Sequence, residues 1–248
     1  IAQCLVGSEM CIRDRYKKII TGHFYITSLV LSYERYKDRR EDNTMEKRNE
    51  TLIKLAQTGL MAALCFVAFT FLKIKIPMPG GDATALHIGN AFCVLGALIM
   101  GGWYGGLAGA VGMTIADILD PAYIVSAPKT FVLKLCIGLI VGLVAHRVAK
   151  IDESTDKRYI LRWSVIASVA GLGFNVLADP IVGYFYKMFI LGQPQEMAEV
   201  LAKWSAAATF VNAVVSVILV GVLYNALRPV LLRMGMICIG KVNGLSHS

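Results

Sequence analysis

Charge is scarce in this chain. Asp, Glu, Lys and Arg make up 17% of its 248 residues, while hydrophobic types make up 56%. Mean hydropathy is +0.60. Soluble domains carry about a quarter charged residues and need them to cover their surface. Residues 89–116 hold no charged side chain at all. A helix needs about 20 apolar residues to cross the ~30 Å hydrocarbon core of a bilayer. The shortage of charge therefore excludes a soluble domain. It implies an all-α, polytopic membrane protein.

Other absences narrow the chemistry. The six cysteines, Cys4, Cys11, Cys65, Cys93, Cys136 and Cys238, form no C-x-x-C. Cys65, Cys93 and Cys136 lie in apolar runs, so buried thiols are expected rather than a disulfide framework or a zinc site. There is no H-E-x-x-H, no G-x-S-x motif facing a His, and no Walker A sequence, so the chain cannot itself spend ATP. "GLGF" at 171–174 approaches the G-x-G-D of intramembrane aspartyl proteases but lacks the Asp. Asp117 and Asp179 keep a carboxylate dyad open, and with it an intramembrane hydrolase. A purely structural membrane subunit is the third possibility. No cofactor and no metal are expected.

The net charge is +8. Basic residues flanking membrane spans on their cytoplasmic side explain it better than nucleic-acid binding does. Arg147, Lys150, Lys157, Arg158 and Arg162 cluster in one polar stretch, Lys47 and Arg48 lead the first span, and Arg228 and Arg233 follow the last.

Residues 1–44 contain no convincing span. "IITGHFYITSLVLSY" is apolar but short and punctuated by Gly, His, Thr and Ser, and "ERYKDRREDNT" mixes both charge signs. Such a run favours solvated chain. "LVGSEMCIRDR" (5–15) resembles the translated end of a sequencing adaptor, so residues 1–15 read as a scar and 1–44 as a non-native or disordered extension. The membrane domain is expected over 45–233, with 234–248 as a short cytoplasmic tail.

Six spans are read along that domain: about 52–72, 86–101, 103–119, 129–148, a fifth from about 159, and 198–227. Pro180 is expected to kink or break the fifth, and the sixth to stop before Pro229. Six crossings place both termini on one side, cytoplasmic by the basic clusters. The segments 73–86, 120–128 and 192–197 then face outward as loops. Gly101, Gly102, Gly105, Gly106 and Gly109 let backbones approach closely; internal packing is their expected role. Gly59 and Ala63 make a small-x-x-x-small pair on the first span, open between internal packing and a partner subunit.

Polar residues at membrane depth are costly, so they face a protein interior or a wet cavity. His87, Asn90, Asp117, Lys134, Asn175, Asp179 and Asn212 stand out, with Asp82, Asp120 and Lys129 in or beside the outward loops. His87, Asn90, Asp117, Asp120 and Lys129 fall toward one face. Donors, acceptors and both charge signs together suit a small polar ligand, and Tyr123 could stack on a flat heterocycle.

The stretch from "GGDATALHIGN" through "DPAYIVSAPKTF", with "FVNAVVSVILVGVLYNAL" later, resembles the substrate-binding S component of energy-coupling factor (ECF) transporters, in the riboflavin-type branch. The resemblance spans about 45–233. It implies a vitamin-uptake subunit of an ABC-type importer in the bacterial plasma membrane. Its partners would be a transmembrane coupling subunit and two cytoplasmic ATPases, toward which the loaded subunit topples to release cargo. Carried onto this chain, the substrate residues are His87, Asn90, Asp120, Tyr123 and Lys129, with Asn175 and Asn212 lining the pocket. The gate is the loop after the first span, with Pro79, Gly80, Gly81 and Asp82. The partner contact is Gly59 and Ala63, which Val67 does not extend. The cargo is left open among riboflavin, a pyrimidine and pyridoxine. Deleting residues 1–44 is expected to leave membrane insertion and ligand binding intact; loss of either in the truncated protein shows that the segment belongs to the working molecule.

Overall fold

The structure is a computed structural model, and it describes residues 48–49, 51–78 and 83–233. The expectations for residues 1–44, for the gate residues Pro79, Gly80, Gly81 and Asp82, and for the tail 234–248 lie outside the described residues. From Lys54 onward the described residues pack as one compact unit.

The chain is mostly helical. Helix α1 covers Thr51–Phe71. Strands β1 (Lys73–Pro77) and β2 (Ala83–His87) follow, then α2 (Gly89–Met100) and α3 (Gly102–Leu119). A short 3₁₀ turn, Ile124–Ser126, leads into α4 (Ala127–Gly142), which continues as a π-helical turn over Leu143–Val148. Helix α5 (Lys157–Phe185) likewise ends in a π-helical stretch, Tyr186–Ile190, before α6 (Gln195–Arg233).

Among the described residues, four helical segments are long and apolar enough to cross a bilayer: α1, Ile124–Val148, Lys157–Ile190 and α6. Helix α2 has 12 residues and reaches only about 18 Å at 1.5 Å per residue. Helix α3 has 18 residues, about 27 Å, but its glycines and Asp117 dilute its apolar character. The break between them falls at Gly101, whose φ of +90° requires glycine.

Three boundaries differ from the sequence reading. Helix α5 runs through Pro180, and α6 runs through Pro229 to Arg233. A proline inside a membrane helix frees one carbonyl, which neighbouring helices and local π adjustments can satisfy. The segment read as the outward loop 73–86 is instead an antiparallel hairpin, pairing Lys73 with His87 and Pro77 with Ala83. The described residues are therefore not all-α. The signal was local: "KIKIP" alternates charged and β-branched residues with a period of two, the mark of a strand with two unlike faces.

The core centres on α2. Ala91, Cys93, Val94, Leu95, Ala97 and Leu98 are each 2% exposed or less. A short helix apolar on every face must be enclosed by others, and α3, α4 and α6 pack around it. Glycine makes that enclosure close. A Cβ on Gly105 would run into the backbone of Ala97 on α2, and one on Gly109 into Cys93. A Cβ on Gly102 would lie 2.9 Å from the carbonyl oxygen of Gly138 on α4, and one on Gly106 would lie 2.9 Å from that of Leu135. The glycine run is internal packing, as expected. Gly59 is different: a Cβ there meets nothing within 4 Å.

Replacing a helical glycine with alanine gains about 0.5–1 kcal/mol from backbone entropy, so the sign of the effect reports packing. Gly105→Ala is expected to lower stability by about 1–3 kcal/mol, the usual cost of overpacking, while Gly59→Ala leaves it unchanged or raised. Thermal unfolding of both variants in detergent is the measurement. Equal effects at the two positions would contradict the packing described.

Candidate functional site

Polar side chains gather at the end of the bundle that carries the hairpin. Three helices deliver them in stripes. On α5, Asn175, Asp179 and Gly183 recur every four residues and so share a face. On α6, Ser205, Thr209 and Asn212, spaced four and three apart, also share a face. On α4, Lys129, Thr130 and Lys134 lie along one side. These residues, with Asn90 of α2, Asp117 of α3 and His87 of β2, line a single cavity. Phe69 and Tyr123 form part of its wall. The Phe69 ring meets His87 edge-on at 4.6 Å and Tyr123 at 6.2 Å between centroids.

One part-buried ion pair organises the α4–α5–α6 side. Lys129 Nζ donates to Asp179 Oδ1 at 3.0 Å. The other carboxylate oxygen accepts from Ser205 Oγ and, at 3.2 Å, from Thr209 Oγ1. Lys134 is 8% exposed and lies in the field of Asp179 and Asp117. Thr130 hydrogen-bonds Asp117. Among the described residues no hydrogen bond joins Asp117 to Asp179, and each carboxylate has its own partners.

The hairpin is tied down at two points. At the β2 end, His87 N donates to Asn212 Oδ1 at 3.0 Å, and Asn212 Nδ2 donates to Ala85 O at 2.9 Å. Asn212 thus lines the cavity while clamping the strand that covers it. At the β1 end, Lys73 Nζ and Lys75 Nζ each sit 2.7 Å from Asp120 Oδ2, and Asp120 Oδ1 accepts from Ala122 N. The Lys73 ammonium also lies 4.9 Å from the centroids of Phe69 and Tyr123. Cation–π attraction adds to the ion pair.

Of the residues singled out in the sequence, His87, Asn90, Tyr123, Lys129, Asn175 and Asn212 line the one cavity. Asp120 is not among the lining residues; it anchors β1. Gly59 and Ala63 lie elsewhere, exposed on α1. Asp117, Lys134 and Asp179 stood out as polar at membrane depth without being placed with the ligand residues, and they line the cavity too. Ser205 and Thr209 were missed. Their four-residue spacing from each other, inside an apolar helix, was the available signal.

Three polar atoms around this cavity have no hydrogen-bond partner among the described residues: His87 Nδ1, Asn90 Oδ1 and Asn175 Oδ1. Asn90 and Asn175 are each 1% exposed. An unmade hydrogen bond on a buried group costs about 1–3 kcal/mol, so native interiors rarely keep several together. The free space among these side chains is about 110 Å³, whereas pockets for drug-sized ligands run to about 300–1,000 Å³. A guest of that size enters only if the hairpin or lining side chains move.

A helical membrane domain that encloses a polar cavity under a tethered hairpin belongs to the class of membrane binding proteins and carriers. The comparison with protein families makes this specific. The family model described as "ECF-type riboflavin transporter, S component" matches residues 49–229, and the chain belongs to that family. It is a substrate-binding membrane subunit of an ECF transporter, not an enzyme, which removes the intramembrane hydrolase considered from the sequence. No curated protein and no solved structure matches the chain.

The hairpin anchor has a pH signature. Two ammonium groups and the Ala122 N–H lower the Asp120 carboxyl to about 2. A depressed carboxyl contributes stability that is complete above its unfolded value near 3.9 and is lost as pH falls through the folded value. The β1 anchor is therefore expected to be complete at neutral pH and to release as pH falls from about 4 to about 2. Asp120→Asn should loosen it at neutral pH. Hydrogen exchange of residues 73–78 and 83–87 should rise in the variant at pH 7; unchanged exchange would mean that Asp120 does not hold the strand.

Proposed function

We propose that this chain captures riboflavin or a closely related flat vitamin from outside the cell and presents it to a separate, ATP-driven coupling module. The observation that carries this reading is the cavity: unpartnered amide and imidazole atoms of Asn90, Asn175 and His87, beside the aromatic rings of Phe69 and Tyr123. A flavin ring system offers amide-type donors and acceptors on its edge and a wide π-face, which these groups complement. His87, Asn90, Tyr123, Lys129, Asn175 and Asn212 are the substrate-contacting residues in this reading, and Asp179, Lys134 and Asp117 join them. Asp120 serves the lid.

The topology in this reading has six crossings. Helices α2 and α3 form two short ones around the Gly101 turn, and both termini face the cytoplasm of a bacterial plasma membrane. The cavity then lies toward the outside, and the β1–β2 hairpin with residues 79–82 is its gate. The limited free volume supports a gate that opens to admit the guest and then closes over it. Energy comes from elsewhere, because the sequence has no phosphate-binding Walker loop. The partners in this reading are a transmembrane coupling subunit and two cytoplasmic ATPases. Gly59 and Ala63 supply the contact: both are exposed on α1, and a Cβ on Gly59 meets nothing within 4 Å of its own chain.

Mass spectrometry of small molecules released from the purified protein, with titration of riboflavin, tests the reading. One vitamin per chain is expected, held with submicromolar affinity, equivalent to more than about 8 kcal/mol. Asn175→Ala is expected to weaken binding at least tenfold, about 1.4 kcal/mol. Absence of affinity for riboflavin and for other B-vitamins or precursors would overturn it.

A further inference from the structure

A second hollow lies at the other end of α5 and α6, among the first turn of α5, the loop before it and the last turns of α6. Its free volume is about 350 Å³. The polar groups lining it are Ser154, Thr155, Lys157, Tyr224, Asn225 and Arg228. Among the described lining residues there are two cations and no carboxylate.

Arg228 is the unusual member. It is 8% exposed, and a guanidinium stays charged at any physiological pH. One terminal nitrogen donates to the carbonyls of Ile151 at 2.9 Å and Ser154 at 3.4 Å. Its Nε has no partner, and among the described residues no carboxylate pairs with it. Buried charges are ordinarily paired, because an isolated one loses its hydration without compensation. Tyr224 is 1% exposed, and its hydroxyl is likewise without a hydrogen-bond partner. Two unsatisfied donors, both more than nine-tenths buried, thus border the same hollow. The N-terminus of α5 is capped by Asp156, which accepts from Arg158 N, so the open donors are those of Arg228 and Tyr224.

We propose that this hollow binds a phosphate oxyanion, supplied by the headgroup of an anionic phospholipid. Arg228, Tyr224 and Lys157 would donate to it, and the hydroxyls of Ser154 and Thr155 border it. The lipid source follows from position and from the walls. The hollow joins the ends of two membrane-spanning helices, where headgroups lie. Ile160, Leu161, Pro229 and Leu232 complete its lining, and Leu161 is 39% exposed, giving an acyl chain an apolar path outward. Basic pockets between spans are the usual seats of such headgroups.

Native mass spectrometry of the full chain with phosphatidylglycerol or phosphatidylcholine tests the proposal, alongside thermal unfolding with inorganic phosphate. Phosphatidylglycerol should be retained at least tenfold better than phosphatidylcholine, and Arg228→Gln should abolish the difference. Since that variant removes a buried side chain that also holds the α4–α5 loop, Tyr224→Phe and the exposed Lys157→Gln carry the test if it fails to fold. Each should weaken retention severalfold, and Tyr224→Phe should leave unfolding in the absence of anion unchanged or raised. Stabilisation by inorganic phosphate without any lipid preference would overturn the lipid source and keep the phosphate site. No lipid preference and no phosphate effect would overturn the proposal entirely. None of these readouts depends on vitamin binding.

Discussion

The arrangement of this molecule depends on one constraint: a polar group buried between apolar helices must find a partner. Most of those here do. Asp179 takes Lys129, Ser205 and Thr209; Asn212 takes both ends of a β2 backbone segment. The exceptions cluster. His87, Asn90 and Asn175 keep open atoms around a single cavity, and in the function proposed above a guest molecule supplies what the protein does not. The satisfied network holds the unsatisfied groups in place, so the site is preorganised by its own neighbours.

The same economy of partners shapes the cover. The hairpin lies across the end of the bundle because Asp120 holds two lysines of β1 and Asn212 holds β2. The β1 anchor is a partly exposed ion pair, and such pairs contribute little and can exchange readily. The β2 anchor is a pair of buried amide bonds on a rigid helix. In the function proposed above, a cover held by Asn212 at one strand and by a partly exposed ion pair at the other opens from the ion-pair side. Beneath it, glycine contacts bring the backbones of α2, α3 and α4 close together.

Much of this was legible in the sequence. The scarcity of charge gave the membrane class, and the breaks at Gly101 and near residue 120 set the α2–α3 pair. The polar residues at membrane depth that were singled out, His87, Asn90, Asn175 and Asn212, all reach the cavity because burial leaves such side chains nowhere else to go. Asp120 was read as a ligand residue because polarity and position were all that could be seen. Its two lysine partners sit on a strand that had been taken for a loop. Ser205 and Thr209 passed unnoticed because a hydroxyl in a membrane helix can bond its own backbone, so its presence alone says nothing until Asp179 is found opposite. That α5 and α6 run on through Pro180 and Pro229 is announced by no local pattern.

If the open amide atoms exist to meet a guest, removing one should trade function for stability. The direct measurement is the melting temperature and riboflavin affinity of Asn175→Leu, which keeps the branching and the number of side-chain heavy atoms and has the cavity beside it to take the added bulk. The empty variant is expected to be at least as stable as the parent, since an unsatisfied buried amide is replaced by an apolar group, while binding falls at least tenfold. A variant that unfolds more easily yet binds as before would contradict the claim, because Asn175 would then be part of the framework and not of the site.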